Sequence, residues 1–158
     1  GIEYLDDCPA GSVLVGFNAE INGYFRKLQV VCGTVEVSDT AAVTIGATAT
    51  PFDLRGVTTG TAESIMCAAN EVVIGFEGRA GALVDQLSIH CAGITVTPDG
   101  SGYTVGLGTP NTVGPFGGTG GSAFPATDCA SGVASGAHIQ AGDGLDGLGL
   151  LCATVTLE

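Results

Sequence analysis

Basic residues are scarce in this chain of 158 residues, which has four Lys and Arg against sixteen Asp and Glu and a formal net charge of −12 at pH 7. Binding to a nucleic-acid backbone or to an anionic membrane surface depends mainly on clustered cations. Neither is therefore expected as a partner. The chain also has no uninterrupted apolar run of about 18 residues, so no membrane-spanning helix is predicted.

Glycine is abundant instead, with 27 residues, and 45% of the chain is apolar. So much glycine and threonine disfavours helices and favours strands joined by turns. A chain of this length buries roughly 70% of its unfolded surface when it folds as one domain, which is enough for a hydrophobic core. We therefore predict a single all-β domain over residues 1–158.

Three segments bounded by cysteines repeat along the chain. They read CPAGSVLVGFNAEINGYFRKLQVVC over 8–32, CAANEVVIGFEGRAGALVDQLSIHC over 67–91 and CASGVASGAHIQAGDGLDGLGLLC over 129–152. One glycine and one leucine fall at equivalent places in every copy. These are Gly16, Gly75, Gly136, Leu28, Leu87 and Leu148. Such self-similarity predicts a threefold architecture.

Each copy is predicted to form a β-hairpin. In the second copy the residues alternate, with Leu87, Ile89 and Cys91 on one face and polar residues on the other, as in a strand with one covered face. A glycine-rich reversal falls near the middle of every copy, where glycine can take the positive φ of a tight turn. The reversals lie near residues 20–24, 79–82 and 141–144.

The cysteines lie at the open ends of the predicted hairpins, roughly equidistant from each turn. Six cysteines allow fifteen connectivities, and only the symmetry of the repeat selects pairing within each copy. The predicted pairs are Cys8 with Cys32, Cys67 with Cys91, and Cys129 with Cys152. Disulfides indicate an oxidising location, so the protein is expected to be secreted or at the cell surface. Zinc binding is the alternative, but the chain has no CxxC pair and only two histidines.

The linkers 33–66 and 92–128 carry further runs that resemble strands. TVEVS and AAVTIGATAT lie in the first linker, and GITVTP and GYTVGLGT lie in the second. With the three hairpins they give about ten strands, so one sheet of a threefold body would lack two strands. An incomplete sheet leaves an edge that can pair with another chain, which predicts a homo-oligomer.

Two stretches resemble jacalin-related lectins. VVIGFEGRAGALVDQLSIH, over 72–90, is similar to their final hairpin, in which a G-F-x-G-x-x-G-x-x-x-D-x-[IL] run is common, and VGPFGGTGGSAF, over 113–124, is similar to their glycine-rich opening strand and loop. The resemblance implies a type I β-prism, with three antiparallel sheets packed around a pseudo-threefold axis. Vitelline membrane outer layer proteins share that architecture and carry cysteines in their repeats.

The resemblance also implies a site. In jacalin-like lectins sugar is held by the aspartate of a Gly-x-x-x-Asp loop, by main-chain N–H groups just before it, and by the glycine-rich loop. The first copy departs from this pattern, with Asn22 and Arg26 at the two places. The residues implied in the other two copies and in the glycine-rich loop are Gly81, Ala82, Leu83, Val84, Asp85, Gly142, Asp146, Gly117 and Gly118.

Such a loop suits a sugar on chemical grounds. An ionised carboxylate only accepts hydrogen bonds and can take two neighbouring hydroxyls at once. Glycine removes the side chain that would keep a pyranose away from main-chain N–H groups. The structural alternative is that Asp85 and Asp146 cap their own turns or pair with a nearby cation such as Arg79.

Other functions find less support in the sequence. Calcium binding by Asp128, Asp143 and Asp146 is an alternative, but no EF-hand or regular Asp-Gly loop accompanies them. His90 and His138 are expected to be surface or half-buried residues, and no nucleophile elbow or other catalytic setting is present. We therefore predict neither an enzyme nor a bound metal or cofactor.

The sequence thus predicts a secreted lectin of the jacalin type that binds glycans through Gly-x-x-x-Asp loops. The alternative is a structural or self-assembling extracellular protein that keeps the β-prism, has lost sugar binding, and completes its sheet with a neighbouring subunit. The low charge and the missing strands favour that alternative.

Overall fold

The computed structural model describes residues 1–157, and within that range the chain forms twelve β-strands and no helix that could cross a membrane. The strands are β1 Ile2–Asp7, β2 Ser12–Asn22, β3 Tyr24–Val37, β4 Val43–Ala49, β5 Thr61–Met66, β6 Glu71–Ala80, β7 Val84–Pro98, β8 Tyr103–Leu107, β9 Asn111–Gly117, β10 Ser122–Asp128, β11 Val133–Ala141 and β12 Leu145–Ala153.

The strands form three antiparallel sheets, and each sheet is built on one hairpin bounded by cysteines. The strand order is β4-β3-β2-β5 in the first sheet and β1-β11-β12 in the third. In the second sheet it is β10-β6-β7-β8, and β9 also pairs with β7. The predicted all-β fold with three antiparallel sheets, one of them incomplete, is confirmed.

The predicted number of strands was wrong. TVEVS and GITVTP are not separate strands but belong to the long strands β3 and β7. β1, β5 and β10 were not predicted, and β9 was indicated only by the resemblance of VGPFGGTGGSAF to an opening strand and loop. These four strands lie mostly at sheet edges and are largely exposed, so their residues carry little of the apolar alternation that marks a half-buried strand. The third sheet has three strands, one fewer than the first sheet and two fewer than the second.

The glycine shared by the three copies marks a β-bulge at the same place in each hairpin. The pairing register shifts at Gly16 in the first copy, at Gly75 in the second and at Gly136 in the third. At each of these positions a neighbouring outer strand approaches closely, and an added Cβ would overlap an atom of that strand. Glycine is required there because the outer strand leaves no room for a side chain.

The core lies between the three sheets, where the inward-facing residues of the hairpins meet. The three predicted disulfides are present, Cys8–Cys32, Cys67–Cys91 and Cys129–Cys152. They join the open ends of the hairpins. The largest fully buried side chains are Phe17, Phe25, Leu14, Leu28, Ile65, Leu87, Ile89, Ile139 and Leu145.

The three hairpin turns meet at one end of the molecule. They lie at Gly23, at residues 81–83 and at residues 142–144, as the glycine-rich reversals predicted. A Cβ added at Gly144 would lie 2.8 Å from Tyr24 Cε2 and 3.0 Å from Leu83 Cδ1, so all three copies contribute to one cluster of turns. The Gly-x-x-x-Asp motifs are therefore at the same end of the fold.

Candidate functional site

The turn of the second copy places Asp85 at the surface. The Gly81 N–H donates a hydrogen bond to the Leu83 carbonyl oxygen at 3.0 Å, which closes the reversal between β6 and β7. Val84, the first residue of β7, is only 5% exposed and packs against the core. Since side chains alternate along a strand, the next residue, Asp85, is directed away from that core.

The glycine-rich loop between β9 and β10 lies beside Asp85. The Gly118 N–H donates to the Asp85 carbonyl oxygen at 2.8 Å. A Cβ added at Gly120 would lie 2.6 Å from Asp85 Oδ1, and one added at Gly121 would lie 2.6 Å from Asp85 Oδ2. Glycine at both positions therefore lets the loop lie close to the carboxylate without a side chain that would overlap it.

Two side chains hold the glycine-rich loop in place. Arg79 on β6 donates from Nε to the Gly120 oxygen at 3.0 Å and from Nη2 to the Gly121 oxygen at 2.8 Å. Gln86 on β7 donates from Nε2 to the Gly118 oxygen at 3.0 Å. The loop is thus tied to both strands of the hairpin that presents Asp85.

The Asp85 carboxylate itself has no partner within residues 1–157. Neither a hydrogen bond to its oxygens nor an ion pair with Arg79 is found there, because the guanidinium is directed at the loop carbonyls. In the same range no acceptor is found for the N–H groups of Ala82 and Leu83. A free carboxylate and two free N–H groups can accept and donate hydrogen bonds to one polar ligand.

The third copy has a turn of the same shape with a different neighbour. The Gly142 N–H donates to the Gly144 carbonyl oxygen at 2.9 Å. Leu145, which corresponds to the buried Val84 of the second copy, is fully buried. Asp146 Oδ2, however, lies 3.2 Å from the amino group of Gly1. The carboxylate of this loop therefore has an ion-pair partner in the chain.

The register of the outer strands explains that contact. Ile2 pairs with Ala141 on β11, and Ser122 pairs with Ala80 on β6, so Gly1 has the place in the third copy that Gly121 has in the second. The residue before each outer strand thus lies against the aspartate of its hairpin.

The turn of the third copy is also covered by the segment between β4 and β5. The Val57 N–H donates to the Gly142 oxygen at 3.0 Å, and Thr58 Oγ1 donates to the Asp143 carbonyl oxygen. Main-chain oxygens on this side of the turn are therefore occupied by the protein.

That segment is fixed to β1 by a buried ion pair. Arg55 donates from Nε and from Nη2 to the two carboxylate oxygens of Asp6, each at 2.8 Å, and its guanidinium lies 4.4 Å from the centre of the Tyr4 ring. Asp6 is 2% exposed. Hydrogen bonding to Asp6 raises the pKa of Arg55, so this cation stays charged beside the buried carboxylate.

The first copy has no carboxylate at the equivalent place. The Arg26 guanidinium lies 3.9 Å from the centre of the Tyr24 ring, and its Nη1 is 3.5 Å from Thr58 Oγ1. This turn presents a cation stacked on an aromatic ring, which is unlike the other two.

The structure therefore brings most of the residues implied by the sequence into one site. Gly81, Asp85, Gly117 and Gly118 lie together, while Gly142 and Asp146 form a separate turn at the same end of the fold. The Val84 side chain faces the core, so only its main chain is available to a ligand. Sequence reasoning did not identify the contacts of Gly120, Gly121, Arg79, Gln86 and Gly1, because they depend on the pairing of the outer strands.

Two of the aspartates considered for a metal site have partners in the chain. Asp128 lies 2.7 Å from His90 Nδ1, and Asp146 lies beside Gly1. No group of three or more His, Cys, Asp or Glu side chains suited to a metal ion is found in residues 1–157. His90 is half-buried and the His138 side chain is 45% exposed, as predicted.

Comparison with known proteins identifies the fold. No family model and no curated protein matches the sequence. Solved structures do match, among them the three that follow. Malaysian banana lectin is 18% identical, with 98% of this chain and 91% of that chain covered and a TM-score of 0.60. Jacalin in complex with T-antigen is 18% identical, with 97% of this chain and 99% of that chain covered and a TM-score of 0.58. A mannose-binding jacalin-related lectin from Ananas comosus is 20% identical, with 93% of this chain and 87% of that chain covered and a TM-score of 0.54. The chain therefore has the jacalin-related β-prism fold that its motifs predicted.

Proposed function

We propose that the protein is a lectin that binds neutral carbohydrate at the second-copy turn, residues 81–85, beside the glycine-rich loop. The observation that carries this proposal is the Asp85 carboxylate, which has no protein partner in the part of the chain described and is bordered by Gly120 and Gly121. Two of the similar proteins, jacalin in complex with T-antigen and the mannose-binding lectin from Ananas comosus, support the same class of ligand.

The charge of the site sets the kind of sugar. Asp85 accepts hydrogen bonds and carries a negative charge within a chain of net charge −12, so a carboxylated or sulfated glycan would be repelled. Neutral hydroxyls can donate to the carboxylate, and a ring oxygen can accept from the N–H groups of Ala82 or Leu83. Neutral hexoses and their oligomers are therefore the expected ligands.

The second Gly-x-x-x-Asp turn would act as a weaker site. Its Asp146 carboxylate is paired with the Gly1 amino group, so a sugar would share or displace that partner. Two sites on one protein would raise the strength of attachment to a surface that carries many glycans. The three disulfides fit the extracellular location in which such surfaces are met.

A glycan array with matched aspartate variants tests the proposal. Asp85→Asn preserves the size of the side chain but removes the charge, and a hydrogen bond to a charged group contributes about 1.5–3 kcal/mol. We expect the strongest signal of the wild type to fall at least tenfold in Asp85→Asn and less in Asp146→Asn. Asp99→Asn, in the β7–β8 turn outside the site, serves as the control and should bind like the wild type.

Two results would contradict the proposal. If Asp85→Asn keeps the glycan signal of the wild type, the site is elsewhere. If no glycan binds and the protein instead forms polymers that grow with concentration in sedimentation experiments, the structural alternative is the better description.

A further inference from the structure

The exposed edge of β12 is the clearest departure from threefold symmetry. β3 pairs with β4 on its outer side, and β7 pairs there with β9 and β8, but within residues 1–157 no strand pairs with the outer side of β12. The equivalent side chains show the effect: Leu28 and Leu87 are fully buried, whereas Leu148 is half-exposed. Similarly, Cys91 is fully buried, whereas Cys152 is exposed.

The other two copies show what covers this position. In the second copy, Phe116 of β9 is in register with Leu87 and packs against the core. In the first copy, Phe52 packs against the core, and its carbonyl oxygen accepts a hydrogen bond from Gln29, the residue after Leu28. In the second copy a phenylalanine thus lies opposite the shared leucine, and in the first copy Arg55 pairs with Leu28 while the nearby Phe52 packs on the same core.

A crevice lies beside Leu148, on the side of β12 where a third phenylalanine would lie. Its volume is about 240 Å³, and it runs between β12 and the neighbouring sheet. A cavity of about 150 Å³ is already large enough for benzene. The crevice is lined by the apolar and aromatic side chains of Phe76, Val84, Leu87, Phe124 and Leu148, together with Thr127 and Asp146 at its polar part.

The β12 strand has few of the features that protect a sheet edge, namely one charged residue, Asp146, at a shift in the pairing register with β11. Residues 145–153 read LDGLGLLCA, with no lysine or proline and with one charged residue, Asp146. Proteins usually blunt an exposed edge with lysine, proline or a short strand, because unpaired N–H and C=O groups template pairing with another chain. This edge therefore remains competent to add a strand.

We propose that β12 binds an extended segment of another polypeptide, which pairs antiparallel to it and inserts a phenylalanine into the crevice beside Leu148. The sequence chemistry of the partner is that of β9: short, uncharged and glycine-rich, with one phenylalanine. Main-chain hydrogen bonds would supply affinity, and the aromatic side chain would supply register and specificity. The crevice shares Val84 with the turn at residues 81–85 and Asp146 with the third-copy turn, but the proposal does not rest on sugar binding.

A labelled peptide copying residues 109–118, TPNTVGPFGG, is the direct probe, with fluorescence anisotropy as the readout. We expect saturable binding, and at least a tenfold loss when the phenylalanine of the peptide is replaced by alanine, since most of its ring would be buried. A scrambled peptide should not bind. Because these changes are in the peptide, they leave the fold of the protein untouched.

Protein variants and hydrogen exchange locate the binding. Thr127→Trp places a bulky side chain from the exposed surface of β10 into the crevice and should weaken binding at least tenfold. Thr112→Trp, at an equally exposed threonine outside the crevice, should leave binding unchanged. Amides of β12 should exchange more slowly when the peptide is bound, while those of β8 should not change.

The proposal is overturned if no saturation is reached, if the alanine peptide binds equally well, or if protection appears on another edge. It is also overturned if the protein alone forms a dimer in which β12 amides are already protected, since the occupant of the edge would then be a second copy.

Discussion

The two Gly-x-x-x-Asp turns share a sequence pattern and a backbone shape but differ in what surrounds the aspartate. Asp85 faces a glycine-rich loop that its own hairpin holds in place, and no group in residues 1–157 neutralises it. Asp146 faces the Gly1 amino group, and its turn is covered by the segment around Val57. A motif therefore defines a loop, while the outer strands decide whether the loop is open to a ligand.

Of the variants considered, Arg55→Ala should lower the stability of the protein most, and it should loosen the third-copy turn. It removes the partner of Asp6, which is 2% exposed, and leaving a buried charge unpaired costs about 3 kcal/mol or more. Urea denaturation should show this loss, and amide exchange at Gly142 should rise while that at Gly81 stays unchanged. Equal loosening of both turns would mean that the segment between β4 and β5 does not specifically support the third copy.

Gly121→Val should disrupt the glycine-rich loop beside the second-copy turn. Gly121 has a φ of +60°, and an added Cβ would overlap the main chain of Ala80 and approach Asp85 Oδ2. We expect a loss of about 2 kcal/mol in stability together with loss of glycan binding. Gly102→Ala is the control, because no atom lies within 4 Å of a Cβ there, and it should change neither property.

Asp146→Asn and Asp85→Asn compare the two carboxylates directly. The first removes a partly exposed ion pair with Gly1 and should cost less than about 1 kcal/mol, with a smaller effect at high salt. The second removes no interaction within residues 1–157 and should leave the urea midpoint unchanged or slightly higher. A marked destabilisation by Asp85→Asn would show that this residue supports its own turn, and the case for an open site would fail.

The smallest expected effect is a loosening of the β7–β8 turn in acid. It depends on Asp99, an aspartate that caps its own turn. Hydrogen bonds from the Ser101 N–H and from Thr104 lower the pKa of Asp99 below its ordinary value of 3.8. Because the pKa is lower in the folded state, the stabilising contribution is present above the unfolded pKa and is lost as the pH falls through the folded value. Amides of the β7–β8 turn should therefore exchange faster only in strong acid.

The Asp99→Asn variant is the control for that acid effect, because it removes the titrating group and should abolish the pH dependence of exchange in the turn. Persistence of the same acid profile in the variant would assign the loosening to another group.

The triplicated pattern predicted the parts of the fold that depend on local alternation and symmetry. The spacing of the cysteines gave three hairpins, and the shared glycines indicated places where a side chain could not fit. The residues of β1, β5, β9 and β10 gave no such signal, because a largely exposed edge strand needs no apolar face.

Some residues of the candidate site could be predicted from the sequence and others could not. Asp85 and Gly81 could be predicted because they belong to one hairpin and to one motif. The support from Arg79 and Gln86 could not, since it depends on a loop some 40 residues further along the chain that is brought alongside by strand pairing.

The sequence by itself determined the hairpins, the disulfides within them and the turns that carry the aspartates, because alternation, glycine and symmetry act over short distances along the chain. Only the tertiary structure decided which aspartate lacks a partner and which strand lacks a neighbour. Both depend on how outer strands pair across the sheets, and pairing between distant segments leaves little trace in the residues of either one alone.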